Sequence, residues 1–200
     1  LNINENLIIN AITKKTKAIM PVHWSGKISN MNKILNIAKK YKLHVIEDSA
    51  QGMGSYFKNK HSGTFGDISA FSAHPLKNLN ALGDAGFIIT NNKRLYDNIK
   101  LYRNHGLKSR DNVELFGVNS RLDSLNAEVL SFRLGKLNQI IKKRRKNISL
   151  YRKYIKTNKV ILPKDGKDYY DSYVMMISLC EDRDKLQSYL TSKNIQSLIY

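Results

Sequence analysis

Apolar and polar positions change places in short blocks along the first half of the chain. The run AIMPVH (18–23) is apolar with turn residues after it, which predicts a buried strand. Met31, Ile34, Leu35 and Ala38 recur at helical spacing, and Ser29 stands where it can cap the helix they form. HVIED (44–48) predicts the next strand. Two buried strands around an amphipathic helix make a βαβ crossover with parallel pairing. GDISAFS (66–72) and GFIIT (86–90) predict further strands, and Leu95, Ile99 and Tyr102 share one face of a helix that Gly106 ends. This half therefore reads as an α/β layer fold.

Near Arg121 the texture changes. Leu134, Leu137, Ile141, Ile148, Tyr151 and Ile155 keep a three–four spacing that is interrupted at Arg144. The pattern predicts one long amphipathic helix with its lysines toward water. VILP (160–163), SYVMMISL (172–179) and the helix-like DRDKLQSYLTSKN then predict a second α/β or α+β unit beginning near residue 157. There is no internal repeat and no low-complexity segment.

Composition narrows the class without naming a function. The chain has 200 residues, 42% apolar and 25% charged, a globular profile. Cys180 stands alone, so no internal disulfide forms, and a cytoplasmic protein is the expectation. No stretch is apolar for long enough to span a bilayer as a helix, so no membrane partner is expected. Lys and Arg number 34 against 16 Asp and Glu, a net charge of +18. The basic residues are spread along the chain rather than gathered on one face, so a solvated surface is favoured over a nucleic-acid footprint. Histidine and cysteine show no metal-ligand spacing, and no metal is expected. The absence of an initiator Met suggests a fragment.

Against this lysine-rich background, one lysine is isolated. Between His61 and Asn92 the only Lys or Arg is Lys77, in the turn HPLKNL. In open α/β sheets ligands bind beyond the carboxyl ends of the strands. Asp48 ends one predicted strand there, Ser72 ends another, and Lys77 follows in the turn. A carboxylate, a hydroxyl and an isolated amine suit pyridoxal phosphate, which needs a Schiff-base lysine, a carboxylate beside its ring nitrogen and donors for its phosphate. Taken singly, each residue reads equally as a surface or capping residue, and the pattern alone leaves that alternative open. Glu47 alternates to the other face of the strand and is expected to be paired there. For His23 the expectation is a structural hydrogen bond.

Four segments together carry a resemblance: AIMPVHWSG, the block from HVIEDSAQ through GDISAFSAHPLKNLNALGDAG to FIITNN, LYRNHG, and GVNSRLDSLNAEVL. In order and spacing they resemble the DegT/StrS family of pyridoxal-phosphate-dependent nucleotide-sugar aminotransferases, strongly to about residue 156 and more weakly beyond. The resemblance implies the type I fold of these transferases: a three-layer α/β/α large domain and a smaller C-terminal α/β domain, both incomplete here. Residues 1–135 would belong to the large, cofactor-binding domain, 136–156 to a long connecting helix, and 157–200 to the start of the small domain. It implies that Asp48 partners the pyridine nitrogen, that Gln51 lies against the ring near its phenolic oxygen, and that Ser72 binds the phosphate. Lys77 would be the Schiff-base lysine. Asn119 would reach the phosphate of a neighbouring subunit, making the working unit a homodimer, and Arg121 would face the pocket entrance or the dimer partner. The implied reaction moves an amino group from glutamate to a ketone of a nucleotide-linked sugar. Some relatives carry histidine in place of the lysine and act as dehydratases; here Lys77 holds the expected offset from Ser72, and His74 reads as a turn residue lining the site. The alternatives are a dehydratase of the same fold and a non-catalytic binding or regulatory relative.

Overall fold

A computed structural model describes residues 1–200. The elements in chain order are α1 (Ile8–Ala11), β1 (Ala18–Ile19), a 3₁₀ turn (Trp24–Gly26), α2 (Met31–Tyr41), β2 (His44–Asp48), β3 (Tyr56–Phe57), β4 (Lys60–His61), β5 (Ile68–Ser72) and β6 (Gly86–Ile89). They continue as α3 (Lys93–Tyr102), β7 (Leu107–Ser109), β8 (Asn112–Val113), α4 (Ser124–Leu134), α5 (Leu137–Tyr154), β9 (Val160–Ile161), β10 (Tyr169–Tyr170), β11 (Leu179–Cys180) and α6 (Arg183–Ser192).

The central sheet has the order β1-β2-β5-β6, with β1, β2 and β5 parallel and β6 antiparallel at the edge. The predicted βαβ unit is present. α2 lays Met31, Ile34 and Ala38 on Ile19, Val45 and Phe57 to form one core. Each of the larger of these buried side chains contributes about 1.5–3 kcal/mol. The opposite face of the sheet, with Ile46 and Ile88, is partly open.

The structure revises three local expectations. Pro21 and the exposed Met20 shorten the first strand to Ala18–Ile19, although Val22 still bridges to Asp48 in parallel. Asn30, not Ser29, caps α2, accepting from the Lys33 amide at 3.3 Å. Ser29 is buried and its hydroxyl turns inward to the Val22 carbonyl. The predicted long helix is preceded by a separate one, α4, broken from α5 at Gly135–Lys136, and Leu134 belongs to α4.

Arg144, the interruption in the apolar seam of α5, has a structural reason. Its half-buried guanidinium donates to the carbonyls of Tyr173 and Val174, at 3.4 and 2.8 Å. Below it Ile141 packs with Ala73, Leu79 and Ala81 in the second core. Segment 169–175 lies against the first half of the chain: β10 extends the small sheet β10-β3-β4, pairing Tyr169 with Phe57 and Tyr170 with Tyr56. Arg145 stacks over the Tyr170 ring at 4.2 Å.

Asp171, on this segment, is 2% exposed. Burial pushes its carboxyl up to about 6, with Lys27 opposing and Asp165 adding to the shift. The folded state thus holds this proton more tightly than the unfolded chain, so its contribution to stability falls as pH rises from about 4 to about 6. Asp171→Asn is expected to remove that fall. In urea titrations the variant should gain on the wild type between pH 4 and pH 7, by about 1–3 kcal/mol at pH 7. A difference that does not change with pH would contradict it.

Candidate active site

The register of β2 on β5 sets the geometry at the rim. Asp48 pairs with Ala70, and Ser72 lies two residues beyond, where the strand ends. Because side chains alternate, Asp48 and Ser72 emerge on the same face of the sheet, while Glu47, Ser69 and Phe71 share the other. The sequence-derived trio is therefore brought to one place: two adjacent strand ends and the turn that follows the second.

Each group keeps a free valence. Asp48 Oδ1 accepts from the Ala50 amide at 3.0 Å, and Oδ2 has no partner in the chain. Ser72 Oγ accepts from the His74 amide at 3.3 Å, leaving its own proton to give. Gln51 Oε1 accepts from the Ser25 amide at 2.6 Å, so the amide nitrogen is the free end of that side chain. Lys77, partly buried, forms no hydrogen bond or ion pair through its amine. His74 Nδ1 accepts from the Leu76 amide at 3.2 Å, which folds the turn on itself. The turn is held from its far side by Arg133, which donates to the Asn80 carbonyl at 2.9 Å and to its side-chain oxygen. Lys77 is thus isolated from other cations along the sequence, while in space Arg133 anchors the same turn.

Beneath Asp48 lies a network that the sequence indicated only in part. His23 and Glu47 are both wholly buried, and His23 Nε2 meets Glu47 Oε2 at 2.8 Å. The amides of Gly63, Phe65 and Gly66 also donate to the Glu47 carboxylate, at 2.8, 2.6 and 2.6 Å. The Ser29 amide donates to His23 Nδ1, which leaves Nε2 as the donor toward Glu47. Burial alone would raise the Glu47 carboxyl; the bonds from His23, Gly66 and Gly63 outweigh it and hold it below its ordinary value. Asp48 is fixed through the main chain as well, its carbonyl accepting from His23 N and its amide donating to Pro21 O, both at 3.0 Å.

Asn119 and Arg121 are not brought to this rim. They are exposed on the segment after the β7–β8 hairpin, where Asn119 bridges to Asn104 and its side-chain oxygen accepts from Arg121 Nε at 3.2 Å. No hydrogen bond joins either to Asp48, Gln51, Ser72 or Lys77. Residues that the sequence did not single out also touch the site: Ser25, with a left-handed φ of 59°, and the buried Asn78 beside Lys77. No helix is long and apolar enough to cross a membrane.

The sequence and its fold resemble those of known proteins. The model of the DegT/DnrJ/EryC1/StrS aminotransferase family matches residues 1–200. The chain is 40% identical over 199 residues to a dTDP-3-amino-3,6-dideoxy-alpha-D-galactopyranose transaminase of Aneurinibacillus thermoaerophilus, covering all of this chain and 55% of that one. It is 36% identical over 202 residues to a pleiotropic regulatory protein of Geobacillus stearothermophilus, again over its whole length and 54% of the relative. Among solved structures, S. venezuelae DesV in complex with a ketimine intermediate superposes with a TM-score of 0.93 at 31% identity, over 98% of this chain and 53% of that one. The α/β transferase fold expected from the sequence is thereby found, and the chain spans about half the length of these relatives.

Proposed function

Because the chain belongs to the DegT/DnrJ/EryC1/StrS aminotransferase family, we propose that the protein carrying it transfers an amino group from glutamate to a ketone of a nucleotide-linked sugar, with pyridoxal phosphate as cofactor. The observation that carries this reading is the set of free valences at the rim. Asp48 offers an unpaired carboxylate oxygen, Ser72 and Gln51 each offer an N–H or O–H, and Lys77 offers an amine without a partner. Those are the signs that a protonated pyridine, a phosphate, a phenolic oxygen and an aldehyde require, so the residues present fit the cofactor.

When bound, that cofactor supplies an electron sink that makes a carbanion tolerable at the amine-bearing carbon. Asp48 would hold the proton on the ring nitrogen through a charge-assisted hydrogen bond. Lys77 would hold the aldehyde covalently until an incoming amine displaces it, and its freed amine would then carry the proton between the two carbons. Ser72 would bind the phosphate and His74 would line the turn. The division into a large domain (1–135), connecting helix (136–156) and start of a small domain (157–200) is part of the same reading.

A homodimer completes it. Phe116 is fully exposed, and Val113, Leu125 and Phe132 are 61%, 72% and 63% exposed, so the stretch 113–132 that carries Asn119 and Arg121 also offers exposed apolar surface. Covering that surface with a second copy would bring Asn119 to the phosphate of the neighbouring site and Arg121 to its entrance. The positive net charge would favour encounter with a diphosphate-bearing sugar.

The first half of the reaction tests this directly. The protein loaded with pyridoxal phosphate is expected to lose its visible band on adding glutamate, releasing about one equivalent of 2-oxoglutarate per site in the absence of any sugar. Retention of the band would favour the regulatory reading, which the name of the Geobacillus stearothermophilus relative brings into view.

A further inference from the structure

Segment 171–175 belongs to no strand, yet every one of its carbonyls is received by a side chain from elsewhere. Arg145 donates to Asp171 O at 2.7 Å and Asn78 to Ser172 O at 3.4 Å. Arg144 serves Tyr173 O and Val174 O, and the Ser25 hydroxyl donates to Met175 O at 2.6 Å. An extended segment beyond a ladder must find donors for its carbonyls somewhere. The arginines come from α5, a natural packing partner. Asn78 and Ser25 come from the rim of the sheet, and each adjoins a residue of the candidate site.

Asn78 directly follows Lys77. Its buried amide also donates to Met53 O at 3.4 Å, in the loop that leaves Asp48 and Gln51. One side chain therefore joins the Lys77 turn, the Gln51 loop and the strap at Ser172. Ser25 holds the Gln51 amide through its own main-chain N–H and the strap through its hydroxyl. Next to it the strap closes tightly on Gly26, whose φ is +84°. There Ser172 N donates to Gly26 O at 3.1 Å, and a Cβ would stand 2.8 Å from the Tyr173 nitrogen. Ser55, fully buried, donates to Gly26 O at 2.6 Å and meets the Ser172 hydroxyl at 2.8 Å, sealing the same corner.

We infer that Asn78 and Ser25 are positioning residues, through which strap 171–175 sets where the Lys77 amine and the Gln51 amide stand at the cofactor site. The inference rests on the proposed cofactor reading. The chemistry makes the demand: the Lys77 side chain has to move when an incoming amine displaces it, and it can return to the same atom only if its main chain stays fixed. Asn78 supplies that fixity one residue away. The Ser25 main-chain N–H holds the Gln51 oxygen, which fixes the direction in which the Gln51 N–H group points. The strap thereby ties the later part of the chain to both residues.

The test uses the complete protein and reads cofactor binding rather than turnover. Wild type, Asn78→Ala and Ser25→Ala are titrated with pyridoxal phosphate, following the visible band and its dependence on pH, and the unfolding midpoint of each cofactor-free protein is recorded. Losing both bonds of the Asn78 amide is expected to weaken cofactor binding about tenfold in Asn78→Ala, and losing the one hydroxyl bond to Met175 O about threefold in Ser25→Ala. Both should shift the pH at which the band titrates. Ser25 is partly exposed, so its variant decides the matter alone if Asn78→Ala does not fold. A merely structural role would lower the unfolding midpoint while leaving affinity and band titration as in wild type, and that result would overturn the inference. If wild type itself forms no borohydride-reducible link at Lys77, the cofactor reading fails and this inference falls with it. The wild-type control thus separates the two failures.

Discussion

Lys77→Ala is expected to cut amino transfer by at least about 10³-fold while the protein stays folded. The substitution removes both the covalent holder and the proton carrier, and positioned acid–base catalysis alone contributes about 10²–10⁴-fold. Stability should hardly change, because the Lys77 amine takes part in no hydrogen bond or ion pair. What holds the turn is the burial of Asn78 and Leu79 and the bonds from Arg133 to Asn80, none of which uses the lysine side chain. Single-turnover assays beside thermal unfolding of the same samples check both halves. A variant that keeps more than a tenth of wild-type turnover would remove Lys77 from the chemistry, and one that loses turnover by unfolding would say nothing for it.

Glu47→Ala is expected to do the reverse, acting on the fold first. The carboxylate satisfies His23 and the amides of Gly63, Phe65 and Gly66, all in a dry interior. Removing it leaves these donors without an acceptor, and breaking a buried charged network typically costs about 3–5 kcal/mol. At this chain length that corresponds to a fall in unfolding midpoint of roughly 6–20 °C. The sign with pH follows from the depressed folded-state value. The stabilisation from Glu47 is full above the unfolded carboxyl range near 4.5 and is lost as pH falls through the lower, folded value. The gap between variant and wild type should therefore be widest near neutrality and close in acid. Calorimetry at several pH values would show it, and equal midpoints at pH 7 would refute the network's role.

These two residues also show what can be read from a chain of letters. β2 and β5 were legible because buried parallel strands write themselves as apolar runs, and the period of two then places Asp48 and Glu47 on opposite faces. Glu47 could be expected to find a partner, yet that it is His23, with three amides from residues 63–66, depends on how loops close in space. Ser29 and Asn30 are both good caps, and only the inward turn of the Ser29 hydroxyl to Val22 decides between them. α4 was missed for a physical reason: Leu125, Phe132 and Leu134 face outward, so its apolar residues do not mark a buried stripe. Arg144 appeared only as a break in a seam, because the carbonyls it serves lie about thirty residues further on.

Asp48, Ser72 and Lys77 were legible as strand ends and an isolated amine, while Ser25 and Asn78 were not. Both are small polar residues of kinds found in every turn, and their meaning comes only from the strap they hold.

Whether Lys77 is the amine that captures the cofactor can be read directly. The complete protein, loaded with pyridoxal phosphate, reduced with borohydride and digested, gives that answer by mass spectrometry of the labelled peptide. The label is expected on Lys77, in the peptide containing HPLKNLNALGDAG, and is expected to be lost when glutamate is added before reduction. A label on another lysine, or none on a folded protein, would contradict it.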